Sequence, residues 1–235
     1  MRRAVAAVAL GLALASPAAG HDVERTEALL VAVAEHRRTA HQAPTEGERV
    51  EATFRLGETV EMLVDAVNRD VAVHGTPDLF AELVVKRLQA QGLSVAWTPA
   101  EQRYVYDLAA FHDCIRRAPH GPWAPEAKFR LIARRFYATL GANPATLVGT
   151  DVAGVLEAVA DEARFLREHA SHPRAGTVRF FLAVDHYRVS RNIVDPARAR
   201  EHAGRARRAL QDTVARSTEP FERRAAQALL ETLGF

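Results

Sequence analysis

Apolar residues recur at three- and four-residue intervals along most of the chain, and Pro, Gly, Thr and Asp punctuate the runs. From Asp22 to about Ala40, Leu29, Leu30, Val33 and His36 fall towards one side of a helix, which the Ala43-Pro44 break ends. Thr45-Glu46-Gly47-Glu48 has the capping-box form, and the helix it starts carries Val50, Phe54, Val60, Leu63, Val64 and Val67 before stopping near His74-Gly75. Thr76 is expected to cap the next helix with Pro77 in its first turn, ahead of an apolar face from Leu79 to Leu88. Leu93 to Trp97 has strand character but no partner of similar kind, so it reads as an extended connector. Thr98-Pro99-Ala100-Glu101 combines a capping box with a first-turn Pro. It predicts a helix running through Tyr104, Leu108, Phe111, Ile115 and Ala118. Further helices are expected over Pro125 to Leu140, Val152 to Ala170, Arg174 to Ile193, Pro196 to about Ser217, and from Pro220 onward. The pattern predicts an all-α protein of stacked antiparallel helix pairs, about nine helices with no significant sheet.

Two stretches share a plan. In Phe111 to Tyr137 and in Phe165 to Tyr187, a Phe is followed eight positions later by a Pro, and the second helix carries Ala and then Tyr one turn on. The paired residues are Phe111 with Pro119 and Phe165 with Pro173, then Ala133 with Tyr137 and Ala183 with Tyr187. Two helix-turn-helix units so alike indicate a helical repeat. On Phe165, Leu166, the His172-Pro173 turn, Leu182, Ala183 and Tyr187, the chain resembles tetratricopeptide-like repeat proteins. It is similar to the exported helical-repeat proteins of Gram-negative envelopes, such as the lipoprotein component of the outer-membrane β-barrel assembly machine. The resemblance covers roughly Thr98 to the C-terminus and implies an α-solenoid or compact repeat domain with a concave, ligand-binding stack of helices. The expected organisation is a leader over 1–20, an N-terminal helical region over 21–97 and repeats over 98–235, the last two packed as one domain.

Met1-Arg2-Arg3, a short apolar run and Ala18-Ala19-Gly20 have the form of a secretory signal, with the mature chain expected to begin at His21. The expected location is therefore the periplasm or the exterior; the alternative is an N-terminal membrane anchor. No Cys lies near the cut, so no lipid-attachment site accompanies it. With 48% hydrophobic and 26% charged residues among 235, the chain can build an ordinary buried core. A net charge of +2 is too small to point to nucleic acid. The single cysteine, Cys114, rules out an internal disulfide and is expected half-buried beside the helix stripe.

Catalytic and metal motifs are missing: no HExxH, no Gly-rich phosphate loop, no GxSxG elbow, and no Cys-based zinc or haem motif. His169 and His172 lie three apart at a helix end without a third ligand at fixed spacing, and the histidines are expected at surfaces and turns. A mature N-terminus at His21 raises a copper-binding variant of the metal reading, but no metal site or cofactor is assigned. Glu157, Asp161 and Glu162 are expected on exposed faces as solvated helix charges. Arg198, Arg200, Arg205, Arg207, Arg208, Arg216, Arg223 and Arg224 make a late basic cluster, diluted by Glu201, Asp212, Glu219 and Glu222. It suits an acidic protein surface, lipid headgroups or a cell-wall polymer. The reading is a non-enzymatic scaffold for a protein or peptide partner; the alternative is a small-ligand carrier or enzyme whose helices enclose a pocket.

Asp185 is the sharpest single residue. On a helical wheel with Val178 at zero, it falls at about −20°, amid Phe181, Leu182 and Val189. Phe180, Ala183, Val184 and Tyr187 cover the opposite side, so the helix is expected to be buried on two faces. A carboxylate so placed must be paired, and Arg188 and Asn192 lie along the same edge. Either Asp185 and Arg188 form an internal ion pair, or they open into a groove with Tyr187 near a ligand's charged group. The candidate binding residues are accordingly Asp185, Arg188, Asn192, Tyr187 and Tyr137.

Overall fold

The computed structural model of the chain describes residues 22–139 and 152–232. The expected leader, His21 and Leu140 lie outside the described residues. Among these there are nine helices and one two-stranded antiparallel hairpin. Predominantly helical architecture is as expected; the hairpin is not.

α1 (Val23–Gln42) starts where the Asp22 carboxylate accepts the Arg25 backbone N–H. α2 (Glu46–His74) begins at the capping box that the spacing predicts. The Thr45 hydroxyl accepts the Glu48 N–H at 3.2 Å, and Glu48 in turn accepts the Thr45 N–H at 3.1 Å. Gly75 ends it in the left-handed region at φ 78°, returning its N–H to the Val71 carbonyl. α3 (Leu79–Ala90) starts two residues later than expected, because the Asp78 carboxylate, not the Thr76 hydroxyl, is its cap and accepts the Ala81 N–H.

β1 (Val95–Thr98) and β2 (Arg103–Tyr106) pair where a connector and a helix start were expected. Thr98 to Gln102 makes the turn: the Glu101 N–H donates to the Thr98 carbonyl, and Gln102 takes a positive φ of 49°. Pro99 suits this turn as well as it suits a first helical turn. Long-range contacts decide between them. The Trp97 and Tyr104 rings meet edge-on at 5.3 Å across the hairpin, and Tyr104 and Tyr106 are buried at period two. Asn68 of α2 closes the outer edge of β2, donating to the Tyr104 carbonyl and accepting its N–H.

α4 (Ala109–Arg117) is therefore shorter than the helix expected from Thr98. The Tyr106 hydroxyl accepts the Ala110 N–H at 3.0 Å and thereby caps it. α4 packs on α2, with the Phe54 and Phe111 rings 5.6 Å apart. The close approach depends on Gly57, where a Cβ would lie 2.8 Å from the Phe111 ring. Cys114 is wholly buried rather than half-buried, because α4 turns its side towards this core.

α5 (Ala124–Thr139), α6 (Val152–Glu168), α7 (Ala175–Asn192), α8 (Pro196–Arg216) and α9 (Pro220–Thr232) complete the chain. Asp195 caps α8 ahead of Pro196, as expected, and Pro220 occupies the first turn of α9. The described residues divide into two compact units, one ending at Ala127 and the other beginning at Lys128, inside α5. In the second, α7 packs against α6 and α8, and α8 against α9. Its core gathers Ile132, Phe136, Phe165, Val178, Phe181, Val184 and Leu210, with Phe136 stacked on Phe181. α7 is buried on two faces, as its wheel requires. No helix among the described residues is long and apolar enough to cross a membrane.

Candidate functional site

α7 presents Asp185 and Arg188 three residues apart, one helical turn, on the side facing α6 and the end of α5. They are 1% and 0% exposed, and Arg188 Nη1 meets Asp185 Oδ1 at 2.8 Å. The same Nη1 donates to the Thr139 hydroxyl at 3.0 Å, and Nη2 donates to the Thr139 carbonyl. The guanidinium therefore closes the C-terminus of α5, where free carbonyls and the helix dipole favour a cation. From α6, Glu162 enters the cluster 1% exposed, against the expectation of a solvated charge. It stands in the stripe of Val155, Val159 and Phe165, so it turns inward with them. Its exposed neighbour Glu157 and half-buried Asp161 fit the solvated reading better, and Asp161 pairs with Arg135.

Two carboxyls and one buried guanidinium leave one negative charge too many for a dry site. Burial first, and then the charge of Asp185, push the Glu162 carboxyl well above its usual range. Burial also raises Asp185, while Arg188 pulls it down. Glu162, the more strongly raised of the two, shares a hydrogen bond with Asp185, and Arg188 and Arg135 favour the charged form of both. Shared-proton carboxyl pairs serve acid–base catalysis where a substrate can reach them. Here a ligand reaches them only if α5, α6 and α7 part.

The other candidate residues are spread outward from this cluster. Asn192 is exposed and donates to the Arg188 carbonyl at 2.8 Å. Tyr187 is half-buried on α7. Tyr137 is 53% exposed and lies edge-on to Phe181 at 5.6 Å. His169 is not part of a metal set; its ring sits on Phe165 and its Nε2 lies 3.3 Å from Lys128 Nζ. Among the described residues, no group of three or more His, Cys, Asp or Glu could hold a metal ion. Two histidines, His186 and His202, are buried side chains rather than surface or turn residues.

An accessible feature lies between α8 and α9. A groove of about 450 Å³ is lined by Val214, Pro220, Arg223, Arg224, Gln227, Ala228 and Glu231. Its floor is apolar, and its charged lining is Arg223, Arg224 and Glu231. On α8, Glu201 neutralises Arg205 at 2.6 Å and Asp212 lies 3.9 Å from Arg216. Exposed Arg207, Arg208, Arg223 and Arg224 pair with no described carboxylate. Glu222, expected to dilute this charge, is instead 6% exposed, held by the hydroxyls of Thr177 and Ser217. Phe221 stands out beside the groove, 55% exposed. Sequence position alone hid this sorting, because pairing partners depend on which face each helix buries. No family model, no curated protein and no solved structure matches the chain, and its own geometry is what speaks to function.

Proposed function

We propose that this chain is an exported, non-enzymatic helical-repeat protein, tetratricopeptide-like in its α6 to α9 stack, that holds a protein or peptide partner carrying acidic residues. The observation that carries the reading is the α8–α9 groove, where Arg223 and Arg224, which pair with no described carboxylate, and Glu231 border an apolar floor. Unpaired exposed guanidiniums attract carboxylates, and an apolar floor favours a peptide over a free small anion. Each helix of α6 to α9 packs on its sequence neighbour, the arrangement that builds extended binding surfaces in repeat proteins. The reading places the protein in the periplasm or outside the cell, and makes no use of cofactor or nucleic acid.

A fluorescein-labelled peptide of alternating Glu and Leu tests it by fluorescence anisotropy. The native chain is expected to bind it, more weakly as salt rises. Arg207→Glu/Arg223→Glu/Arg224→Glu is expected to weaken binding roughly tenfold or more, since each reversed charge turns attraction into repulsion. Equal binding by the triple variant would place the partner elsewhere. A small neutral ligand that binds without regard to these arginines would favour a pocket-bearing carrier.

A further inference from the structure

His186 of α7 and His202 of α8 meet inside the second unit, each 6% exposed. Their Nδ1 atoms are 3.0 Å apart, with ring centroids at 5.1 Å and planes inclined by 62°. At that distance one ring donates Nδ1–H and the other accepts through its lone pair, an arrangement made by two neutral imidazoles. A first extra proton goes to Nε2 of the donor ring. The hydrogen bond survives, but a positive charge now sits where water is excluded. A second extra proton sets N–H against N–H, and the bond is lost.

The groups facing the pair make proton uptake harder. Arg205 and Arg208 of α8 act on His186; Arg205, Glu201 and Arg198, also of α8, act on His202. From α6, Glu162 meets Asp185, which lies about 100° round α7 from His186. From α9, Glu222 is bonded to Thr177, at the far end of α7. Among the described residues, Glu201 is the one carboxylate that acts on the rings, and it is committed to Arg205.

We propose that the His186–His202 pair is an acid-operated latch on the α7–α8 junction, closed by one hydrogen bond while both rings are neutral and opened when they take up protons. Burial, His202 and the two arginines hold His186 down to about 4, and burial with Arg205 holds His202 below the usual imidazole range. Depressed values stabilise the fold above the unfolded-state pKa of about 6.5. That stabilisation is lost as pH falls from there towards about 4 for His186. Glu162 responds with the opposite sign: its raised value favours the folded chain as pH falls, so it does not mimic the latch. Because α8 also forms one wall of the groove, opening would loosen that surface. This effect on the partner rests on the function proposed above, but the latch itself does not.

Amide hydrogen exchange on the full chain, corrected for intrinsic rates, tests it between about pH 7.5 and pH 4.5. Protection over residues 182–206 is expected to fall by on the order of tenfold or more, relative to amides of α1 to α3. His186→Asn/His202→Asn keeps an amide-to-amide hydrogen bond at the Nδ1 positions and cannot titrate. It is expected to hold its protection over the same range. The ring resonances of the unaltered protein give a second readout, which decides the matter should the double variant not fold. Both rings should titrate below the usual imidazole range. Rings that titrate near 6.5, or a double variant that opens with the pH profile of the native chain, would overturn the proposal.

Discussion

Asp185 is buried between the Arg188 guanidinium and the Glu162 carboxyl. Asp185→Asn takes away the carboxylate nearest Arg188 and is expected to cost about 3–5 kcal/mol in a denaturant melt, less at pH values where Glu162, freed from the Asp185 charge, ionises in its place. A melt unchanged by this substitution would mean that the pair does not tie the helices together. Glu162→Gln replaces a neutral acid by a neutral amide and is expected to cost about 1 kcal/mol or less near pH 5. Its sharper signature is pH dependence. Because the folded-state value of Glu162 is raised, its contribution is full below the unfolded pKa of about 4.3 and fades as pH rises towards the raised value. The native chain should therefore lose more stability than the Gln variant when melts are repeated at higher pH. The Asp185–Arg188 pair was readable from the wheel, since a carboxylate in an apolar stripe demands a cation one turn away. Glu162 stands in an equally apolar stripe, but Glu157 and Asp161 beside it give the segment the look of a solvated face. Thr139 had no local signal at all, lying 49 residues from Arg188 in the chain.

Between elements, the closest approach is that of α4 to α2 at Gly57. Alanine there would gain about 1 kcal/mol of helix propensity. However, its Cβ would meet the fully buried Phe111 ring at 2.8 Å. Overpacking of that kind costs about 1–3 kcal/mol, so Gly57→Ala is expected to lower the melting temperature. Gly57→Ala/Phe111→Leu should recover part of the loss, and an unaltered melt for the single variant would contradict so close a packing. The caps of α2 and α8 were legible because Thr45 with Glu48, and Asp195 with the Ala197 and Arg198 N–H groups, complete their hydrogen bonds within four residues. The hairpin was not. Thr98-Pro99-Ala100-Glu101 satisfies the rules for a helix start and for a turn alike, and the contacts that choose come from Asn68 and from Trp97 against Tyr104.

For the molecule as a whole, the leader reading predicts that intact mass of chain recovered from the periplasm starts at or within two residues of His21; retention of Met1 in a membrane fraction would point to an anchor. The helical class was legible because amphipathic periodicity is local, whereas which side chains meet across helices depends on how the helices are placed beside one another. Cys114 carries a consequence of a different sort. It is the only thiol in the sequence, it is wholly buried on α4, and burial pushes it up to about 11. A maleimide offered to the native protein finds almost no thiolate and no route in, so modification waits for the first unit to come apart. Each molecule then takes one tag, once. Mass spectrometry of samples quenched at intervals would time how often residues 22–127 open under native conditions, with no probe engineered into the chain; immediate tagging would show that the thiol is not enclosed.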